Sequence, residues 1–491
     1  MTIRLAWAAA ALLALPWSVD LAHSEVALSA ASALPQPNCS HCRERLKTVA
    51  ALKRQLPADW TFRIERETVF DSDMLVVQAG QANRQTVLLV HGMGQNGFTD
   101  WLPTMPQLAR RYHVIAVDLP GFGYSDAPSG RYSPTNYARI LQSLLIRHAK
   151  GSAIVVGHSM GAAVALRLAS THPERVNKLI LVDVAGILHR TAFAKHGASL
   201  PVSASSMPEI LKEPVARAAE WGNTMVERIL GLPDVTQILR HSDLAWDALL
   251  RNRANANAAL ALIDEDFSAA VHTLQQPTQI IWGEADAVAP LRTGQLLARR
   301  LPRAELKSMP RIGHTPMLEA SDRFLALLSS ALASNPVPPA PPPSGALEPT
   351  DLQCTGLVDQ QYSGHYRDVI IDRCSAVRLV NLSAERIVIR DSIVQMLGVG
   401  VRATGVAVDV SNSELTATAS DFSGQIALRA DASRIDFAGV HLLAFGDAVQ
   451  VQRRSRLIGS ISRIQSATFN GYWHDSTELE GAVLVPARRS E

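Results

Sequence analysis

The sequence predicts two architectures in tandem: an open, mostly parallel α/β sheet, then an all-β segment of short stacked strands. Three observations carry this. Short β-branched runs alternate with helical segments as far as residue 334. A G-x-S-x-G pentapeptide stands where one such run ends. Beyond a proline-rich stretch, pairs of apolar residues recur about every 20 residues, the signature of a structural repeat. Composition is consistent with both parts. A chain of 491 residues has room for two or three domains. Apolar residues make up 47%, which excludes disorder over most of the chain. The 47 basic and 45 acidic side chains nearly cancel, leaving +2, so the electrostatic footprint of a nucleic-acid binder is absent.

The N-terminus reads as an export signal over residues 1–33. Arg4 supplies a basic start, residues 5–17 are apolar apart from Pro16, and small residues follow, with cleavage expected after Ala22-His23-Ser24 or Ala31-Ser32-Ala33. The apolar run is shorter than the roughly 20 residues that span a bilayer, an uncleaved anchor being the alternative. No other apolar stretch has spanning length, so the expected location is periplasmic or secreted. Residues 34–60 form an extension holding Cys39-Ser40-His41-Cys42. With no strand–helix unit around it and no following His, a disulfide is expected there rather than redox or haem chemistry. Export favours disulfides generally; Cys354 and Cys374 are candidates for a second, although four cysteines allow three pairings.

From residue 61 the elements follow in order. Thr86-Val87-Leu88-Leu89-Val90, His113-Val114-Ile115-Ala116-Val117, Ala153-Ile154-Val155-Val156-Gly157, Lys178-Leu179-Ile180-Leu181-Val182 and Thr278-Gln279-Ile280-Ile281-Trp282 are runs suited to strands buried on both faces. Helical periodicity covers 136–148, 162–170, 291–301 and 322–332. Between about 186 and 268 the strand runs stop and helical patches at 215–230 and 247–263 replace them. An insertion of that length predicts a helical cap over the C-terminal edge of the sheet, where ligands bind in open α/β folds. Prolines from 336 to 343 make residues 335–350 a semi-rigid spacer.

Gly157-His158-Ser159-Met160-Gly161 lies between a buried strand and a small-residue helix. That context predicts a tight turn presenting Ser159 as a nucleophile, with glycines where neighbouring backbone must pass closely. A serine hydroxyl needs a base, and the base needs an orienting acid. Asp286 follows the Thr278–Trp282 run, with Glu284 as the competing acid; His314 stands in Ile312-Gly313-His314-Thr315-Pro316 after the last strand run, Ala304-Glu305-Leu306-Lys307-Ser308-Met309. The chain order Ser, Asp, His marks His314 as the base for Ser159 and Asp286 as its orienter. The backbone N–H groups of Met160 and of Met93, in His91-Gly92-Met93-Gly94, are the expected oxyanion donors. No G-K-[S/T] follows that glycine turn, which excludes a phosphate loop.

With these residues in hand, the chain from about residue 61 to 332 resembles the α/β-hydrolase family, in its serine esterase/lipase-like branch with a helical cap. The matching pieces are Val90-His91-Gly92-Met93-Gly94, Asp118-Leu119-Pro120-Gly121-Phe122-Gly123-Tyr124-Ser125-Asp126, the serine pentapeptide, His172-Pro173-Glu174-Arg175-Val176, Trp282-Gly283-Glu284-Ala285-Asp286 and Gly313-His314. The resemblance implies a Ser159–His314–Asp286 triad, Met93 and Met160 as oxyanion amides, an acyl-enzyme intermediate, and no metal or organic cofactor. A serine at the turn departs from the aspartate of the dehalogenase and epoxide-hydrolase branches. The resemblance leaves open carboxylesters, carbon–carbon bonds of ring-cleavage products, and perhydrolysis. In the cap, Trp221, Met225, Ile229, Leu230, Leu249 and Leu250 are candidates to line an apolar acyl site or to form core, and His189 and Arg190 to face the site or the surface.

In the C-terminal segment, 351–491, the pairs Val369/Ile371, Ile387/Ile389, Val406/Val408, Ile426/Leu428 and Val449/Val451 recur at intervals of 18, 19, 20 and 23. A second set, Ile393, Leu415, Ile435 and Leu457, recurs at 22, 20 and 22, with Ser392, Ser411, Ser433 and Ser455 in turns between the sets. Two or three strands per repeat predict parallel strands stacked coil upon coil, an antiparallel sandwich being the alternative. The segment resembles the right-handed parallel β-helix class of polysaccharide lyases, though no lyase-like cluster of carboxylates or bases accompanies it. A binding or packing module is expected, with a glycan or the cell envelope as its contact. The functional expectation is an exported serine hydrolase of a small apolar acyl ester. The alternative from another class is a non-catalytic scaffold acting through the C-terminal segment.

Overall fold

The computed structural model describes residues 40–191, 242–337 and 350–486, with side chains from residue 47 onward. Residues 1–33, read above as an export signal, Cys39, the Cys42 side chain, the 215–230 patch with Trp221, Met225, Ile229 and Leu230, and most of the proline spacer lie outside the described residues. The chain divides into two compact units, residues 1–60 and 61–491. The first contains helix α1 (Ser40–Arg54).

The second unit begins with an eight-stranded sheet: β1 (Thr61–Arg66), β2 (Asp73–Ala79), β3 (Thr86–Val90), β4 (His113–Val117), β5 (Ala153–His158), β6 (Val176–Val182), β7 (Thr278–Gly283) and β8 (Ala304–Met309). Its order is β1-β2-β4-β3-β5-β6-β7-β8. The pairs β1–β2 and β2–β4 are antiparallel, and every pair from β4 to β8 is parallel. The strand runs read from sequence are therefore the parallel ones. β1, Thr61-Phe62-Arg63-Ile64-Glu65-Arg66, is a half-exposed edge strand with no such run, whereas β2 holds Met74-Leu75-Val76-Val77, buried throughout, which the sequence reading passed over. Helices α2 (Met105–Leu108), α3 (Pro134–His148), α4 (Met160–Thr171), α5 (Asp243–Leu250), α6 (Ala254–Ile263), α7 (Ser268–Thr273), α8 (Leu291–Arg300), α9 (Pro316–Glu319) and α10 (Ser321–Ala333) accompany the sheet. α3 starts two residues before its sequence boundary, since Ser133 caps it by accepting from the Asn136 N–H and Pro134 tolerates the first turn.

The C-terminal part is an all-β domain of parallel strands. Its strands are β9 (Thr350–Thr355), β10 (Gln361–Asp372), β11 (Val377–Arg390), β12 (Ile393–Leu397), β13 (Gly400–Arg402), β14 (Val406–Ser411), β15 (Glu414–Thr418), β16 (Asp421–Gly424), β17 (Ile426–Asp431), β18 (Arg434–Ala438), β19 (His441–Ala444), β20 (Val449–Val451), β21 (Ser455–Gln465), β22 (Asn470–Leu479) and β23 (Ala482–Val483). From β9 to β19 each strand pairs in parallel with one on the next coil, as β12 with β15, β15 with β18, β13 with β16 and β14 with β17. β22 and β23 close the last coil by antiparallel pairing. Cys354 and Cys374 form a disulfide across the first coil.

Three details of the repeat differ from the sequence reading. Ile387 and Ile389 sit beside Val408 and Val410, not Val406 and Val408, and Leu428 sits beside Val449. The slip is two residues, so the same face stays inward and periodicity alone could not detect it. Val394, not Ile393, stacks on Leu415, and Ile393 is exposed. Ser413, not Ser411, joins the serine row. The Cys374, Ser392, Ser413 and Ser433 N–H groups donate to the hydroxyls of Ser392, Ser413, Ser433 and Ser455 at 2.9–3.2 Å. Each of these four hydroxyls donates in turn to the carbonyl two residues before it. A short polar side chain thus satisfies the buried backbone at each corner, which an apolar residue could not do.

Candidate active site

Ser159 follows β5 at the start of α4 with φ +52° and ψ −120°, a strained conformation for a residue with a Cβ. Its N–H is tied to the Val182 carbonyl at 2.9 Å. The two glycines of the pentapeptide have no room for side chains. A Cβ on Gly157 would stand 2.4 Å from the Gly161 carbonyl, and one on Gly161 2.3 Å from the His91 carbonyl. The local sequence therefore permits the turn, and the neighbouring β3 loop compresses it.

Ser159, His314 and Asp286 form one hydrogen-bonded line. The Ser159 hydroxyl lies 2.9 Å from His314 Nε2, and His314 Nδ1 lies 2.8 Å from Asp286 Oδ2. The Asp286 side chain is fully enclosed, and its Oδ1 accepts from the Val288 and Ala289 N–H groups at 2.7 and 2.9 Å. Burial alone would raise its pKa. The hydrogen bond and charge of His314, with those two amides, outweigh burial and hold the carboxyl below its ordinary range. A carboxylate there makes His314 Nδ1 the donor and leaves Nε2 to accept from Ser159. Glu284 is exposed and accepts from the Ser308 hydroxyl at 2.6 Å, away from the imidazole.

Met160 is buried as the first residue of α4, and Met93 is half-buried in the loop after β3. That loop lies over Ser159, since a Cβ on Gly92 would be 2.9 Å from Ser159 Cβ. The Gly94 N–H donates to Asn255 Oδ1 at 3.1 Å, tying the loop to α6.

Four residues that sequence reasoning did not single out hold this geometry. His91 accepts from the Leu119 N–H at 2.9 Å through Nε2, so its Nδ1–H donates to the Gly92 carbonyl at 2.6 Å. Burial lowers its pKa to about 4, keeping it neutral. His158 donates through Nε2 to the His314 carbonyl at 2.7 Å; burial, then the neighbouring His314, pushes its pKa down to about 3. Glu319 brackets the histidine, accepting from the Gly313 N–H at 2.7 Å and the Thr315 N–H at 2.9 Å. Asp183 is wholly buried, accepts from the Gly283 N–H at 2.8 Å, and is raised well above the usual range by burial and by the charge of Asp286. His91 and His158 lie within motifs read from the sequence without a role given to either, Glu319 follows His314 by five residues, and Asp183 is the partner that folding brings in from a distance.

The remaining candidates fall elsewhere. Leu250 is buried in a small cluster with Trp246 and Ala261, and Leu249 is 56% exposed. His189 is buried against the C-terminal domain, its N–H donating to Ser460 Oγ at 2.9 Å and its ring lying edge-on to His474. Arg190 is half-buried. Among the described residues no group of three or more His, Cys, Asp or Glu side chains is placed to hold a metal ion.

Comparison with known proteins agrees with this fold. The family model described as alpha/beta hydrolase fold matches residues 85–321. An uncharacterized protein of Mycobacterium tuberculosis is 31% identical over 255 residues, covering 49% of this chain and 73% of the relative. A 2-hydroxymuconate semialdehyde hydrolase of a Pseudomonas species is 28% identical, covering 50% of this chain and 86% of the relative. Lipase 1 of Psychrobacter immobilis is 27% identical, covering 51% and 77%. The chain belongs to the α/β-hydrolase family. It is a hydrolase with an additional all-β domain of parallel strands.

Proposed function

We propose that this protein cleaves carboxylic esters of small, apolar acyl groups through Ser159, His314 and Asp286. The observation that carries the reading is the unbroken line of hydrogen bonds from hydroxyl to imidazole to enclosed carboxylate. Ser159 Oγ attacks the ester carbonyl while His314 Nε2 takes its proton; the N–H groups of Met160 and Met93 receive the oxyanion. The tetrahedral adduct expels the alcohol with the proton from His314, leaving an acyl-Ser159 ester. Water, deprotonated by the same imidazole, attacks that ester and restores the hydroxyl. Asp286 keeps the imidazole in the required tautomer and stabilises its cation.

Likeness to proteins named as a lipase and a semialdehyde hydrolase supports hydrolysis at an acyl carbon and makes carbon–carbon cleavage the second reading. Purified protein should turn over short-chain nitrophenyl esters and be labelled by a fluorophosphonate at Ser159. Equal turnover by wild type and Ser159→Ala would sink the mechanism. Turnover of a vinylogous ring-cleavage diketone but of no ester would select the second reading. Export to the periplasm or medium belongs to the same proposal, supported by the N-terminal apolar run and the Cys354–Cys374 disulfide. Among the described residues no helix is long and apolar enough to cross a membrane. A glycan or envelope contact of the C-terminal domain rests on its sequence pattern, and sedimentation of the full chain with cell-wall material tests it.

A further inference from the structure

A helix that covers a parallel sheet ordinarily turns one face to the strands and the other to water. α8 does not. It leaves the loop holding Asp286, and its second face is occupied along its whole length by the C-terminal domain. Arg292, in its first turn, forms a two-pronged ion pair with Asp436 of β18, at 2.9 and 3.1 Å, with the Asp436 side chain only 7% exposed. At the far end Arg300 donates to the Gly439 carbonyl at 2.6 Å and the Ser420 carbonyl at 2.8 Å and pairs with Asp421 at 3.0 Å. Arg299 donates to Asn381 at 2.5 Å. Between them Leu296 rests on bare backbone at Gly439, where an added Cβ would lie 3.0 Å from its Cγ. Ala438, Ile458 and Ile461 enter the same apolar core as Leu296 and Leu297. The strand alternation seen elsewhere in the stack is accordingly lost in β18, whose last four residues are all buried.

We propose that Asp436 is a positioning residue for the hydrolytic site: by clamping Arg292 it fixes the first turn of α8 and, through it, the two amides that hold Asp286. The linkage is short. The Ala289 carbonyl accepts from the Trp282 indole N–H at 3.2 Å, the Pro290 carbonyl accepts from the Thr293 N–H at 2.8 Å, and Arg292 lies three residues beyond Ala289. The loop from Asp286 to Arg292 thus has its far end anchored in another domain. Displacing a catalytic group by about 1 Å can cost on the order of a hundredfold in rate, so a clamp here bears on chemistry as well as on stability.

The inference rests on the proposed Ser159–His314–Asp286 chemistry, and its test separates the two. In the full chain, Asp436→Ala should lower kcat for a short-chain nitrophenyl ester about tenfold or more with KM within about twofold. The acidic limb of the kcat/KM profile should move to lower pH, because a loosened Asp286 stabilises the His314 cation less. Hydrogen exchange at the Val288 and Ala289 amides should quicken, a readout needing no substrate. Asp436→Glu should restore part of each effect. If Asp436→Ala does not fold, Asp436→Asn, which keeps shape and loses charge, gives the same three readouts. A lowered melting temperature with kcat, pH limb and exchange at 288–289 unchanged would reduce the contact to domain adhesion and overturn the proposal. A wild type inert toward esters and fluorophosphonate would instead defeat the proposed chemistry, and exchange at 288–289 would still decide the clamp.

Discussion

The hydrolase sheet and the C-terminal stack are both built from parallel strands, yet they solve opposite problems. In the sheet, β3, β4, β5 and β7 are buried at every residue because helices cover both faces. In the stack, only one face of most strands is buried, as in β12, where alternate residues are enclosed. The sheet crosses back through helices, whereas the stack turns within a few residues. Its corners use left-handed backbone at Arg373, Asp391, Asn412 and Ala432, the first just before Cys374 and the others just before Ser392, Ser413 and Ser433. Among the described residues of the hydrolase part, Asp71, Ser159, Asp183, Asn252 and Arg311 also have positive φ, at unrelated turns, and Ser159 stands apart by its ψ of −120°. In the stack the left-handed residues recur coil after coil at the same corner, where they serve shape.

The sharpest way to break this contrast is at Ser159. Ser159→Ala should lower kcat by roughly 10⁴–10⁶ with circular dichroism unchanged, since the residue supplies chemistry and little packing. A loss below tenfold would remove it as nucleophile. Acid should come next and should act on the hydrolase part first. His91 and His158 titrate near 4 and 3 when folded and near 6.5 when unfolded. The unfolded chain therefore takes up protons first as pH falls from 6.5, and stability, full above that pH, should decline by on the order of several kcal/mol toward pH 3. His272, which meets His441 at 3.1 Å across the domain interface and is lowered to about 4 mainly by burial, adds to the same window. Denaturant midpoints measured from pH 8 to 4 check this; a flat profile would contradict the neutral burial of these rings.

In the stack, Ile389→Ala should cost about 2–5 kcal/mol, because a fully buried residue leaves a cavity between coils that cannot close. Ser413→Ala should cost about 1–3 kcal/mol by stranding the Ser392 N–H, while the Ser411 carbonyl keeps its bond from the Asp391 N–H, with hydrogen exchange quickening at residue 392. Unfolding monitored by intrinsic fluorescence tests both, and a Ser413 effect larger than the Ile389 effect would mean that the polar row, not apolar stacking, holds the coils. The smallest effect expected is that of Glu319→Gln. The exposed side chain should loosen the His314 loop and lower kcat by about tenfold with little change in melting temperature.

Much of the site was legible in the chain itself. Ser159 announced itself because the turn that exposes it admits only glycine at 157 and 161, a constraint written within five residues. Asp286 and His314 were found because strand ends are local signals and their chain order with serine is restrictive. The pairing of Cys354 with Cys374 stayed open until register put them on neighbouring coils. The roles of Glu319, His91 and Asp183 were not legible: Glu319 acts through the Gly313 and Thr315 amides, His91 through the Gly92 carbonyl and the Leu119 N–H, and Asp183 through the distant Gly283 N–H, and no motif marks any of these backbone partners. The two-residue slip in the stack was invisible for a related reason: a period of two fixes which face is buried but not which neighbour is met.

The sequence alone determined the order of elements, the parallel character of the sheet, the turn at Ser159 and the existence of a repeat, because each follows from side chains close together in the chain. Only the tertiary structure decided that α8 is sandwiched between sheet and stack, that Asp436 grips Arg292, and that His189 belongs to the domain interface. Those contacts join residues 144 and 271 positions apart. No local propensity encodes such a meeting; it follows from two preformed surfaces finding complementary shape and charge.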